Sequence, residues 1–134
     1  MSRPSHLGLR HLALNVRRMA DMRAFYVDLL GFRVEWEPDP ANVYLTSGRD
    51  NLALHQAMGG EAPGRGLPGA LDHLGLVVAS PELVDAWAAF LESQGVSIDM
   101  QPKTHRDGAR SCYFRDPDGN SVQIIHHPPI SGAV

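Results

Sequence analysis

Two histidines, His11 and His73, occupy the third position of similar stretches, LRHLALNV (9–16) and LDHLGLVV (71–78), 62 residues apart. An imidazole can carry a proton near neutral pH or ligate a borderline divalent ion. A lone strand histidine is usually a hydrogen-bonded core or surface residue, whereas two at equivalent positions of a repeat carry more weight. His55 and Tyr113 add candidate proton carriers. The stretch SCYFRDPDGNSVQIIHH (111–127) raises a question of its own. Strand alternation aims Gln123 to the same side as Ile125, so an amide stands where a carboxylate would serve a cation better. Within that stretch DPDGN is turn machinery, with Gly119 supplying a positive φ, and not a calcium loop. The segment KTHRDGAR reads as a solvated loop from which Lys103, Arg106 and Arg110 can reach an anionic ligand, while His126 and His127 lead into a tail and receive no chemistry.

The elements that must position these residues fall into two halves that rhyme. Each histidine strand is followed by a helix. In the first, Met19, Met22, Phe25, Tyr26, Leu29 and Leu30 recur at helical spacing before a left-handed cap at Gly31. In the second, Ser80 is placed to cap, Pro81 opens, and Leu83, Val84, Trp87, Phe90 and Leu91 form the apolar stripe before Gly95. Three short strands follow each helix: FRVEW (32–36), NVYLT (42–46) and NLALHQ (51–56), then VSIDM (96–100), ARSCYFR (109–115) and SVQIIH (121–126). Each half is βαβββ. The expected class is α+β, two βαβββ modules forming a curved mixed sheet with helices on the outer face and a concave pocket. Module one spans about 7–58, a glycine-rich linker 59–69, module two about 70–127 and a tail 128–134.

Parity assigns the side chains. Leu12, Leu14 and Val16 make an apolar face for the helices, which sends His11, Ala13 and Asn15 to the opposite face. His73, Gly75 and Val77 share that face in the second half, as do Gln123, Ile125, Ser111 and Tyr113; in the first half Ala53 and His55 join it.

Composition bounds the function. A chain of 134 residues, 43% hydrophobic and 20% charged with a formal net charge of −3, reads as one soluble domain without the basic field that nucleic acid or anionic lipid attracts. Cys112 is the single cysteine, and neither a membrane-spanning run nor a secretory signal is evident, so a cytoplasmic protein is expected.

The pattern from RHLALNV and FYVDLLGFRVEW through DHLGLVV to SCYFRDPDGNSVQII resembles the vicinal oxygen chelate superfamily, which includes glyoxalases, bleomycin-resistance proteins, extradiol dioxygenases and fosfomycin-resistance proteins. The resemblance implies a divalent metal ion (zinc, nickel, iron or manganese) held by His11, His73 and Gln123, with Ala53 at the position of an optional fourth ligand. His55 and Tyr113 are the candidate catalytic proton carriers and Ala13, Asn15, Trp36, Ser111 and Ile125 the candidate substrate-binding residues, and the resemblance further implies a homodimer acting on a small molecule.

Many enzymes of that superfamily carry glutamate at the position of Gln123. An amide keeps one oxygen donor but removes a unit charge about 2 Å from the ion, nominally on the order of 8 kcal/mol at an effective dielectric of about 20. Metal affinity should fall, and the donor set departs from the two-histidine, one-carboxylate triad of an iron dioxygenase. The leading expectation is a metal-dependent, glyoxalase-like enzyme acting on a small oxygenated substrate by chelation, a lyase, isomerase or dioxygenase-type catalyst. The alternatives are a metal-free small-molecule binding protein of the bleomycin-resistance kind, walled by Trp36, Tyr44, Tyr113 and Ile125, and a fosfomycin-type transferase.

Overall fold

The computed structural model describes residues 2, 3, 5, 7, 9–57 and 71–132, and the expected linker at 59–69 lies outside them. The chain divides into two compact units, 1–62 and 63–134.

The first unit runs β1 (His11–Val16), α1 (Met19–Ala24), a π-helical continuation (Phe25–Leu29), β2 (Arg33–Asp39), β3 (Asn42–Thr46) and β4 (Asn51–Gln56). Its sheet has the order β1-β4-β3-β2, with β1 parallel to β4 and the other pairs antiparallel. The alternation of LALNV does what parity requires: Leu14 and Val16 are buried while His11, Ala13 and Asn15 stay exposed. With Val43, Leu45, Leu52 and Leu54 they form the core beneath Met22 and Tyr26. Tyr26 meets Phe25 and Phe32 edge to face, and Gly31 (φ 82°) ends the helix as expected.

The second unit runs β5 (Leu74–Val77), α2 (Pro81–Ser93), β6 (Ile98–Thr104), β7 (Arg110–Arg115), β8 (Ser121–His126) and a short α3 (Pro128–Ser131). Its order, β5-β8-β7-β6, repeats that of the first sheet, again with one parallel pair, β5 with β8. Helix α2 packs across β6, β7 and β8, burying Val84, Ala88 and Leu91 against Cys112, Phe114, Val122 and Ile124. Both units are therefore α+β, each a four-stranded mixed sheet with helix on one face.

Three local expectations are corrected. Ser80 makes no side-chain cap; its carbonyl accepts the Leu83 N–H at 3.2 Å instead. The tail is not all irregular, because Pro128–Ser131 is a helical turn whose Ser131 hydroxyl accepts the His127 N–H. Strands β2 and β6 run past the prolines at which the sequence pattern seemed to stop. Among the described residues no helix is long and apolar enough to cross a membrane.

Candidate metal and ligand site

In the second unit, β8 is the central strand and sets the geometry. Gln123 lies in register with Gly75 on one side and Tyr113 on the other. The side chain is only 8% exposed, and its Nε2 donates to the Tyr113 hydroxyl at 2.8 Å. With Nε2 on the Tyr113 hydroxyl, Oε1 is the other end of the amide. A Cβ built on Gly75 would sit 3.3 Å from Gln123 Oε1, so the missing side chain leaves a recess at that oxygen. Among the described residues Oε1 receives no hydrogen bond. His73, one residue before β5, stands edge-on to the Tyr113 ring at 5.3 Å, and its Nδ1 contacts Asp72 Oδ1 at 2.5 Å. Its Nε2 is thereby left as the ring's second available nitrogen. Burial pushes the Tyr113 phenol above its ordinary range, the negative charge of Asp72 adds to this, and the bond from Gln123 partly offsets it. The phenol accordingly keeps its proton.

In the first unit the helix-free face is organised in rows across the strands. His11 pairs with Asn51, Ala13 with Ala53, which pairs on with Tyr44, and Asn15 with His55, which pairs on with Asn42. His11 Nδ1 meets Asn51 Oδ1 at 2.8 Å, and Asn51 Nδ2 donates to Glu35 Oε2 at 3.0 Å. The carboxylate can only accept, so the amide oxygen faces the imidazole, Nδ1 carries the hydrogen and Nε2 holds a lone pair. His55 stands four residues beyond Asn51 on β4, about 13 Å along the strand from the His11 row. His11 and His55 are thus two separate centres. Ala13 and Asn15 are exposed, Ala53 is buried, and Trp36, 58% exposed, stacks on Tyr44 at 5.1 Å.

Of the remaining expected site residues, Ile125 is half-buried beside Val77 and Ser111. Ser111 is fully buried and shares a 2.8 Å hydrogen bond with His105 Nε2, a partner that sequence reasoning missed. Arg110 does not reach out from a loop. It lies on β7 and makes a bidentate pair with Asp85 of α2 (2.8 and 2.7 Å), which holds the Asp85 carboxyl below its ordinary range. Asn51, Glu35, Gly75 and Asp72 were also missed as supporting residues. Asn51 and Gly75 become visible once the strand register is known, since they pair with His11 and Gln123.

Among the described residues no three His, Cys, Asp or Glu side chains are grouped so as to hold a metal ion. His11 and His73 each have Nδ1 against an oxygen, and Gln123 Oε1 faces the recess at Gly75.

Against known families, the model of the Glyoxalase/Bleomycin resistance protein/Dioxygenase superfamily matches residues 8–124, spanning both sheets. The chain belongs to this superfamily. Biphenyl-2,3-diol 1,2-dioxygenase 3 of Rhodococcus globerulus is 30% identical over 118 residues, which are 87% of this chain and 61% of that relative's length. The uncharacterized protein YaeR of Escherichia coli K12 is 31% identical over 137 residues, 88% of this chain and 97% of its own. Among solved structures, lactoylglutathione lyase from Agrobacterium tumefaciens superposes with a TM-score of 0.75 at 23% identity, covering 92% of this chain and 96% of that one. At that identity the likeness speaks for the superfamily fold.

Proposed function

We propose that this superfamily member is a metal-dependent, glyoxalase-like enzyme for a small oxygenated substrate, with His73, Gln123 and His11 as the metal-binding residues. The observation that carries this is the recess at Gly75, which leaves Oε1 of Gln123 open while Tyr113 holds the amide nitrogen. The Nδ1 contacts of His11 and His73 support it, because a ligating imidazole commonly has its other nitrogen bonded to an oxygen acceptor. Two imidazole nitrogens and one amide oxygen suit zinc, nickel, iron or manganese. A divalent ion bound there supplies Lewis-acid polarisation of adjacent substrate oxygens.

The chain's own groups do the rest. Tyr113, kept protonated by burial, donates a proton or hydrogen bond to a substrate oxygen, whereas His55, about 13 Å along β4 from the His11 row, stands apart from this step. Ala13, Asn15, Trp36 and Ile125 are the candidate ligand-contacting residues, whereas Ser111, expected among them, is fully buried and bonded to His105. The amide at 123 favours glyoxalase-like chemistry over the dioxygenase activity in the name of the Rhodococcus relative, since a two-histidine, one-carboxylate triad would lack its carboxylate here. The same proposal extends to a cytoplasmic homodimer with two equivalent sites, to be checked by light scattering. Titration with zinc, nickel, iron(II) and manganese tests the metal: binding should be saturable and lost in His11→Ala and His73→Ala. Equal binding by wild type and both variants would refute it.

A second reading, a metal-free binding protein, is favoured by one observation: the exposed Trp36 stacked on Tyr44 offers a flat aromatic surface. Ligand binding that is unchanged by chelator, without turnover, would select it.

A further inference from the structure

Asp39, Asn42, His55 and Asn15 form one row across all four strands of the first sheet, since Asp39 pairs with Asn42, Asn42 with His55, and His55 with Asn15. Asn42 Nδ2 donates to both oxygens of Asp39, at 3.0 and 3.1 Å, while Asn42 Oδ1 lies 2.7 Å from His55 Nδ1. Asp39 is itself anchored by the Ala41 N–H at 2.8 Å. A carboxylate offers only acceptors, so the amide cannot turn over without facing oxygen to oxygen. Its oxygen must face the imidazole, and the neutral ring must carry its hydrogen on Nδ1. His55 Nε2 is then a lone pair, in a ring whose other nitrogen has no freedom to exchange roles.

We propose that Asp39, Asn42 and His55 form a hydrogen-bond-accepting centre of their own, separate from the His11 position, at which His55 Nε2 takes the O–H or N–H of a neutral ligand. Asn42 and Asp39 are its positioning residues. The proposal rests on the helix-free face of the first sheet being a ligand-binding face, and it is independent of any metal. The separation of about 13 Å along β4 keeps this centre out of reach of a donor set built around His11. Its surroundings are mixed. Tyr44 stands edge-on to His55 at 5.7 Å and is backed by the exposed Trp36, while Asn15, exposed at the end of the row, makes no side-chain hydrogen bond among the described residues. A flat ring bearing one donor is therefore a suitable probe.

The test uses the full-length chain, nitrogen-15 labelled and stripped of metal with chelator, in long-range proton–nitrogen spectra recorded where imidazoles are neutral. His55 is expected as the Nδ1–H tautomer. Asn42→Leu should admit the Nε2–H form, whereas the exchanged pair Asp39→Asn with Asn42→Asp, which reverses the chain of donors but keeps an acceptor at Nδ1, should retain it. Titration with 2-naphthol and 2-methoxynaphthalene then reads the function: wild type should prefer the naphthol by about tenfold or more, as a site whose acceptor goes unpaired with the ether must. His55→Ala and Asn42→Leu should abolish that preference, and the exchanged pair should keep it. An Nε2–H tautomer in the wild type, equal affinity for the two probes, or a preference surviving in His55→Ala would overturn the proposal. Because the protein is metal-free throughout, these outcomes are distinct from a failure of the metal titration.

Discussion

Replacing Gln123 by glutamate perturbs the candidate metal centre by one charge and almost no volume. In the wild type the amide donates to Tyr113 from a side chain that is 8% exposed. A carboxylate cannot donate, so the Tyr113 hydroxyl must reverse and donate to it, which the protonated phenol can do. The hydrogen bond survives with opposite polarity. Without metal, the new charge is buried next to a site already under the negative charge of Asp72, and roughly 1–3 kcal/mol of stability should be lost. With metal, the added attraction is nominally about 8 kcal/mol at an effective dielectric of about 20 and 2 Å. Burial of the carboxylate takes back several kcal/mol of this. A net gain of about 2–4 kcal/mol remains, equivalent to roughly 30- to 1000-fold tighter binding. Competition titration of zinc against a chromophoric chelator, with thermal melts in chelator and in zinc, measures both arms. The variant should melt below the wild type in chelator and gain more from zinc. Equal zinc affinity in the two proteins would mean that the residue at 123 does not face a metal ion, and the reasoning would fail.

Other consequences are equally open to measurement. Gly75→Ala places a methyl group 3.3 Å from Gln123 Oε1 and 3.7 Å from Ile125 Cγ2, in a strand where alanine is otherwise the better residue. It should weaken zinc binding about tenfold or more while leaving apo stability equal or higher, and unchanged affinity would show that the recess is not used. The Tyr113 phenol titrates above its ordinary value of 10.0, so the fold favours its protonated form. That contribution is complete below pH 10 and is lost as pH rises towards the raised folded value, giving a downward slope that Tyr113→Phe should remove from the stability profile; identical slopes would contradict it. The Asp85 carboxyl lies below its ordinary value of 3.8 because Arg110 binds it, so its contribution is present above that value and disappears as pH falls below it. Asp85→Asn should flatten the acid limb of the urea-unfolding midpoint, and a limb of unchanged steepness would remove the pair from the account.

Side-chain direction was readable from the sequence because alternation alone decides it. LALNV buries one parity, and the structure puts His11, Ala13 and Asn15 opposite Leu12, Leu14 and Val16 without reference to any distant contact, whereas NLALHQ buries Ala53 together with Leu52 and Leu54. The doubling of β-α-β-β-β order was readable for the same reason, from two histidine strands and two glycine-ended helices. Strand ends were not. The prolines at 38 and 102 look like stops, yet both sit on edge strands, β2 and β6, where a missing N–H and a register shift are tolerated. The supporting residues were hidden more deeply. That Asn51 faces His11, Asn42 faces His55 and Gly75 faces Gln123 depends on which strands pair and in what register, and those are properties of the assembled sheet. The partner of Arg110 was hidden because Asp85 comes from a helix 25 residues away in sequence.

The most direct test of the metal centre is an anomalous difference map from crystals of the wild-type protein grown with zinc and recorded at the zinc edge. A single strong peak within bonding distance of His73 Nε2 and Gln123 Oε1 is the predicted result. A fully soaked crystal with no peak at Gln123 Oε1, or with zinc bound only to surface histidines elsewhere, would contradict it.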